Sequence, residues 1–488
     1  MKSMALAWLW RHKPLLRLCI CLVSLTLLVP RALFIHHGGR SLWDLQLEEE
    51  NTERLERITR IRDLRAQLNF QWPGDGSFRT YSHVTLQALD RLADCMTEGT
   101  CGPREETVII LGSYHFGHSQ SGHTSGEDIW ASSLIEIMHS LNYTLLYTYE
   151  PLESLLVHQA LDDLVSLVFM ESQGVSQCID MGSLTKETAA TRKPPIVGLQ
   201  WIEGEEQLGC AKRVGFEQGI PLWKIRPLHF WYGTRHPLPG WTLSPENYTG
   251  WEQDTNNYYL GYYLPHCINA KSHTHERRAF ILGKRPEYFA DGRYAWPRGI
   301  LPDLAEKLGD FKFAGGAGKG GAGVDMGERG IENIGQMDKA TWTKEVAKSA
   351  VVLGIGSPPL SPSPYDAMCV GVPFINPITR RDAKDPENRI KWRTQHDALR
   401  DFDPPYVYHV DKDDVEGLRN ALQSALDTPF MPYIPERMLR ENVQARLVHL
   451  IENDWKEVAM QIVASKKTTG WYAPDLGAIA HSNDGLLF

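Results

Sequence analysis

Apolar and polar residues fall in alternating blocks along most of this 488-residue chain. From Thr107 to Gly112 a short run of Thr, Val, Ile and Leu reads as a buried strand, and a Gly/Ser/His loop follows to Gly126. Helical spacing then sets in from Glu127 to Ser140, with Ile129, Trp130, Leu134, Ile137 and Met138 on one face. Tyr143–Tyr149 predicts a second strand, Glu153–Met170 a second helix, Ile196–Leu199 a third strand and Ile225–Tyr232 a further one. Strands alternating with helices predict a parallel, doubly wound sheet. Pro and Gly dominate from Gly233 to Gly250, which reads as a linker.

Beyond the linker the pattern repeats. Tyr258–Leu264 and Ala279–Gly283 are expected to begin a second sheet, with a helix over Trp296–Leu308 and a strand over Phe311–Ala314. Met337–Ala350 reads as helix, Tyr406–Val410 as strand, and Asp414–Leu426 and Glu436–Ile451 as helices. The most informative stretch is Val351–Pro377, VVLGIGSPPLSPSPYDAMCVGVPFINP. Two Val- and Ile-rich runs, Val351–Gly356 and Val372–Pro377, flank a Ser/Pro loop and a helical piece from Pro364 to Val370. Ser363 stands where an N-cap belongs, Pro364 suits the first helical position, and Asp366 falls where a capping acid would. Such a strand–loop–helix–strand unit places polar groups at the carboxyl edge of a sheet, where α/β proteins bind nucleotides.

The N-terminal part has another character. Residues 14–35, PLLRLCICLVSLTLLVPRALFI, form the one membrane candidate, with Arg17 and Arg31 able to snorkel outward. Lys2, Arg11, Lys13 and Arg17 come first, which favours a cytoplasmic tail of residues 1–13 and an uncleaved anchor; a signal peptide is the rival reading. Leu45–Phe70 carries Leu55, Ile58, Ile61, Leu64 and Leu68 at helical spacing among charges. That pattern fits either a stalk through which two copies pair as a homodimer, or a helix packed on the domain. The resulting division is a stem and helical lead-in (36–105), a first Rossmann-like domain (106–240), a second (241–435), closing helices (436–466) and a polar tail (467–488).

A formal net charge of −9 and the lack of a basic block exclude an ordinary nucleic-acid binder. Of eight cysteines, six lie outside the apolar segment; Cys95 and Cys101 are the easiest local disulfide, and the remaining connectivity is open. Asn142 and Asn247 each begin an Asn-Tyr-Thr glycosylation sequon. Cysteine spacing offers no zinc site, and no metal is expected. His115, His118 and His123 sit in a Gly/Ser loop that reads as an exposed polar segment, and the Gly316–Gly321 run is a low-complexity loop without the Ser or Thr of a P-loop.

Four segments resemble the glycosyltransferase family of N-acetylglucosaminyltransferase V: WTLSPENYTGWEQDTNNYYLGYY (241–263), ILGKRPEYFADGR (281–293), Val351–Pro377 and PFMPYIPERM (429–438). With a looser likeness from Val108 to Ile225, they run in matching order over roughly 107–452. The resemblance implies a GT-B fold, two Rossmann-like domains facing a cleft. It further implies metal-independent, inverting transfer of GlcNAc from UDP-GlcNAc to the 6-hydroxyl of a mannose on an N-glycan, in a type II protein of the Golgi membrane.

Such chemistry needs a base for the acceptor hydroxyl and positive charge for the departing diphosphate. The family carries its catalytic base in a Gly-Glu pair before a Trp-bearing helix, which matches Glu127, with Asp128 as the alternative. On residue type alone, both acids also suit the first turn of a helix as complements to its dipole. Asp366 stands where the family places a Glu near the donor, one methylene shorter. Ser361, Ser363 and the backbone around Pro364 would cradle the diphosphate, and Lys391 resembles a family Lys that compensates phosphate charge. Trp231, Trp241 and Trp251 are candidates to stack on acceptor sugars. Two other outcomes stay open, a different UDP-sugar or acceptor on the same fold, and a carbohydrate-binding protein whose catalysis has lapsed.

Overall fold

A computed structural model describes residues 42–68, 77–149, 151–171, 219–233, 236, 238–248, 256–264, 275–290, 292–318 and 326–468. Two helices lead in: α1 (Leu42–Gln67) and α2 (Ser77–Glu98). The stem pattern divides between its two readings. Ile58, Ile61 and Leu64 of α1 are buried against Leu89 and Leu92 of α2, whereas Leu45, Leu47 and Leu55 are exposed. Arg57 and Arg60 of α1 reach Asp163 at 2.6 and 2.7 Å, so the C-terminal half of the helix is fixed to the domain. Cys95 and Cys101 are joined in a disulfide at the end of α2.

The first domain runs β1 (Val108–Gly112), α3 (Tyr114–Gln120), α4 (Gly126–Ser140), β2 (Thr144–Tyr147), α5 (Pro151–Ala160), β3 (Val165–Glu171), β4 (Ile225–Leu228), β5 (Leu243–Ser244) and β6 (Tyr258–Tyr259). Its six described strands lie in the order β2-β1-β3-β4-β5-β6, all parallel. Three expectations are corrected here. The helix expected over Glu153–Met170 stops at Ala160, and Val165–Glu171 is the strand beside β1. Flanked by β1 and β4, β3 is apolar on both faces, a run that periodicity cannot tell from buried helix. Tyr258–Tyr259 opens no second sheet but pairs with β5 in the first, and Leu243–Ser244 lies inside the expected linker. The strand expected at Ile196–Leu199 falls outside the described residues, as do the apolar segment 14–35 and the tail beyond 468.

The second domain holds β7 (Glu276–Leu282), α6 (Ile300–Lys307), β8 (Lys312–Gly315), β9 (Glu332–Asn333), α7 (Lys339–Lys348), β10 (Ser349–Gly354), α8 (Ser363–Cys369), β11 (Phe374–Arg380), β12 (Arg393–Thr394), β13 (Val407–Asp411) and α9 (Val415–Asp427). Its core is the parallel series β9-β8-β7-β10-β11-β13, with β12 antiparallel on β11. The helix expected from Trp296 begins only at Ile300, because Pro297 and a left-handed Gly299 (φ 73°) precede it. Ser363 is the first residue of α8 rather than its cap, and the Ser361 hydroxyl accepts the Ser363 N–H at 3.3 Å instead.

Helices α10 (Arg440–Glu452) and α11 (Trp455–Thr468) return the chain to the first domain. Ser166 of β3 donates to the Ile451 carbonyl at 2.5 Å, and Tyr143 to Glu452 at 2.6 Å. One apolar cluster runs through both sheets, from Ile109 and Leu111 to Val352 and Phe374. The two sheets thus share a core. Among the described residues, no helix is long and apolar enough to cross a membrane.

Candidate active site

Each parallel sheet has a point where the chain reverses its direction of strand addition, and ligands of α/β proteins gather at the carboxyl ends of the strands there. In the first sheet that point lies between β1 and β3. Ser113, just past β1, donates a short hydrogen bond to Glu171 at the end of β3, so the crevice is lined by polar side chains. In the second sheet it lies between β7 and β10, whose ends lead into Gly283-Lys284 and Gly354–Gly356.

Helix α4 carries the proposed base to the first crevice. Ser125 caps it: its hydroxyl accepts the Asp128 N–H at 3.1 Å, and Asp128 accepts the Ser125 N–H at 3.0 Å. The reciprocal pair fixes the first turn. Asp128 is committed further, since its other carboxylate oxygen lies 2.7 Å from His115 Nδ1 in the loop-helix after β1. Burial is the largest influence on Asp128 and raises its pKa, but the bonds from His115 and Ser125 together hold it below the ordinary aspartate value. His115 is the mirror case. Burial pulls it down, while Asp128, Glu171 and Glu127 bring it above the ordinary histidine value. Glu127, half-buried beside this pair, is the acid of the turn that the cap and the histidine leave unused.

The two domains meet at this turn. A Cβ on Gly126 would lie 2.6 Å from the Phe230 ring and 3.2 Å from Pro362 Cδ, so glycine permits the closest approach of α4 to the loop before α8. Lys284, at the end of β7, faces the same place. Its ammonium is lowered by desolvation and by Arg285, while Glu127 and Asp128 act in the opposite sense. One wall therefore carries acids and the facing wall carries a cation, as proton removal on one side and diphosphate departure on the other require.

The candidates on the second sheet are distributed unevenly. Ser361, Ser363, Pro364 and Asp366 share the loop and first turn of α8, with Ser361 Oγ donating to Ser363 Oγ at 3.1 Å. Asp366 is 1% exposed and forms a short ion pair with Lys339 at the start of α7. Lys391 is bonded to Asp385 at 3.2 Å in the loop after β11. Tyr365, next to Asp366, donates to the buried Glu246 at 3.0 Å and accepts from Arg437 at 2.9 Å. That contact brings together three of the four segments singled out in the sequence.

The aromatic candidates do not form one surface. Trp241 is 2% exposed, stacked on His236 and set against the Arg226 guanidinium at 4.4 Å and Trp455 at 5.4 Å. It is core, and the expectation that it stacks on acceptor sugar is corrected. Trp231 is half-buried with its ring edge-on to Phe230 at 5.8 Å, and Trp251 falls outside the described residues. Asn142, in a left-handed turn (φ 62°), and Asn247 are both exposed. His118 and His123 stack on each other at 4.8 Å, and the His118 ring lies edge-on to His115 at 6.5 Å.

Sequence reading missed Glu171, Lys284, Lys339 and Glu246, and it took His115 for part of an exposed polar loop, whereas His115 is half-buried in α3 against Asp128. A signal existed for part of this, because Ser125-x-x-Asp128 is a capping-box pattern that marks Asp128 as structural. The other pairings join residues distant in sequence and leave no local trace.

The model of glycosyltransferase family 18 matches residues 233–474. No curated protein matches the chain. Among solved structures, a protein described as a UDP-N-acetylglucosamine 2-epimerase of Listeria monocytogenes aligns at 11% identity over 82% of this chain and 83% of its own, with a TM-score of 0.25. The glycosyltransferase SnogD of Streptomyces nogalater aligns at 13% identity over 80% of this chain and 82% of its own, with a TM-score of 0.23. Likenesses this loose assign neither fold nor activity.

Proposed function

Through residues 233–474 the chain belongs to glycosyltransferase family 18, and on that premise we propose that it transfers GlcNAc from UDP-GlcNAc to the 6-hydroxyl of a mannose on an N-glycan, with inversion and without a metal. The observation that carries this reading is the close approach of Gly126, the residue before Glu127, to Pro362 across the cleft. It brings a carboxylate of the first sheet's edge to the loop that precedes α8 in the second. Glu127 takes the proton of the acceptor hydroxyl as that oxygen bonds to the anomeric carbon. The bond from that carbon to the diphosphate breaks, UDP leaves with the electron pair, and the anomeric configuration inverts.

In this reading Ser361 and Ser363 hold the donor, and Lys284 faces Glu127 from the donor side. The acceptor is read from the first domain, where the Ser113–Glu171 pair lines the crevice and Trp231 is an aromatic partly open to solvent. We place the chain in the Golgi membrane through residues 14–35, with the remainder lumenal. The disulfide at Cys95–Cys101 and the exposure of Asn142 and Asn247 suit an oxidising, glycosylating compartment.

The test is a donor and acceptor panel on the full chain in detergent, with UDP-sugars offered against a mannose-terminated N-glycan and the product linkage determined. The reading expects UDP-GlcNAc to be the preferred donor and a β-1,6 linkage. A different sugar in the product would keep the transferase and change its donor. Saturable UDP binding with no transfer to any acceptor would favour the lapsed carbohydrate-binding protein.

A further inference from the structure

The donor acid of the sequence reading, Asp366, cannot itself reach a ligand. Its side chain is fully buried at 0% exposure, while Lys339, its ion-pair partner, remains 29% exposed. Of the pair, the lysine is the member that faces outward. Lys339 begins α7, and its ammonium also lies 4.7 Å from the centroid of the Trp342 ring. A buried carboxylate and an indole face thus fix a cation whose three N–H groups are not exhausted by Asp366.

The cation is well placed. α7 follows β9, and β9 is parallel to β8 and through it to β7 and β10, so the start of α7 lies at the same carboxyl edge as Lys284 and the Ser361–Ser363 loop. Lys391 instead pairs with Asp385, a partly exposed acid of its own loop, at 3.2 Å.

Resting on the nucleotide-sugar reading above, we infer that Lys339 supplies a second cation, beside Lys284, to the diphosphate of the donor, and that Asp366 is a positioning residue acting through it. Asp366 orients and charges the lysine; it makes no ribose contact. The bland alternative is that Lys339 only neutralises a buried acid. The two differ in what they predict for ligands that lack phosphate.

The experiment measures binding of UDP and of uridine to the full chain by calorimetry, for wild type and variants. Lys339→Met, which keeps an apolar stem against Trp342, is expected to weaken UDP about 10–100-fold, the range of a charge-assisted hydrogen bond. Uridine affinity is expected to stay within about twofold. Lys339→Arg should retain most of the preference for UDP over uridine, and Asp366→Asn should lose part of it. The salt dependence of UDP binding should flatten in Lys339→Met.

Equal weakening of UDP and uridine in Lys339→Met would reduce the lysine to a structural role and overturn the inference, as would unchanged UDP binding. If Lys339→Met fails to fold, Lys339→Arg and Asp366→Asn still decide the question through the UDP-to-uridine ratio. A wild type that binds no UDP would overturn the nucleotide-sugar reading itself. That result is distinct from a wild type that binds UDP without help from Lys339.

Discussion

His115 Nδ1 lies 2.7 Å from Asp128 Oδ1, and through that bond the segment after β1 is clamped to the first turn of α4. The neighbouring Glu127 therefore projects from a turn held on both sides, by the Ser125 cap and by the histidine. Asp128 is occupied as a structural acid. Glu127 is free to act as a base without loosening the helix that carries it.

Asp128→Asn is expected to destabilise the fold by about 1–3 kcal/mol, because the half-buried His115 loses its charged partner. The pH dependence follows from the two shifts. His115 is raised in the fold, so its contribution is complete below the unfolded value near 6.5 and is lost as pH rises through the folded value. Asp128 is lowered, so its contribution holds above about 3.8 and is lost as pH falls through the folded value. Urea unfolding of both proteins at pH 5.5 and 8.5 checks this. The difference between them should be larger at pH 5.5.

Glu246 should behave in the opposite sense. Burial pushes it up to about 7, against Arg437 and the Tyr365 hydroxyl, which pull it down. The native state then holds a proton that the unfolded chain releases near pH 4.5. Stability from this group falls as pH rises from about 4.5 to 7, by on the order of 3 kcal/mol. Glu246→Gln should flatten that slope. An unchanged slope in urea unfolding over this window would show that Glu246 is ionised throughout.

Trp241→Ala is expected to cost about 3–5 kcal/mol, in line with removing a large buried ring. It also withdraws one of two aromatic faces from Arg226, which has Trp455 at 4.0 Å on its other contact. Where the variant remains folded, its KM for the acceptor should be unchanged. A selective rise in that KM would restore Trp241 to the acceptor site.

In the stem, Ile61→Ala should cost about 2–5 kcal/mol and Leu47→Ala close to nothing in a monomer. Ile61 is fully buried, and Leu47 is 59% exposed. If two copies pair through α1, Leu47→Ala should instead lower the dimer fraction in sedimentation. That measurement separates the two readings of the helix.

The alternation of strand and helix was legible where helices are amphipathic and strands short. α4, α9 and α10 lie within a few residues of where the periodicity put them. β3 was not legible, because its apolar run Leu167–Met170 carries no period that distinguishes strand from helix. The two-residue strands β5 and β6 were hidden among Pro, Gly and Tyr, so the first sheet extends past the expected boundary. The placement of Glu127 on the opening turn of α4 was legible from the Gly-Glu-Asp step and the apolar spacing behind it. The ion pair of Lys339 with Asp366 was not, since it joins residues 27 apart on two different helices.

The measurement that bears most directly on the proposed mechanism is UDP release from UDP-GlcNAc, with a mannose-terminated N-glycan, by wild type and Glu127→Gln, each with and without EDTA. Loss of a general base is expected to lower kcat by about 100–10,000-fold. The account predicts that wild-type release resists EDTA and that Glu127→Gln abolishes it while UDP binding persists. Release that needs a metal, or that survives the substitution, would contradict it.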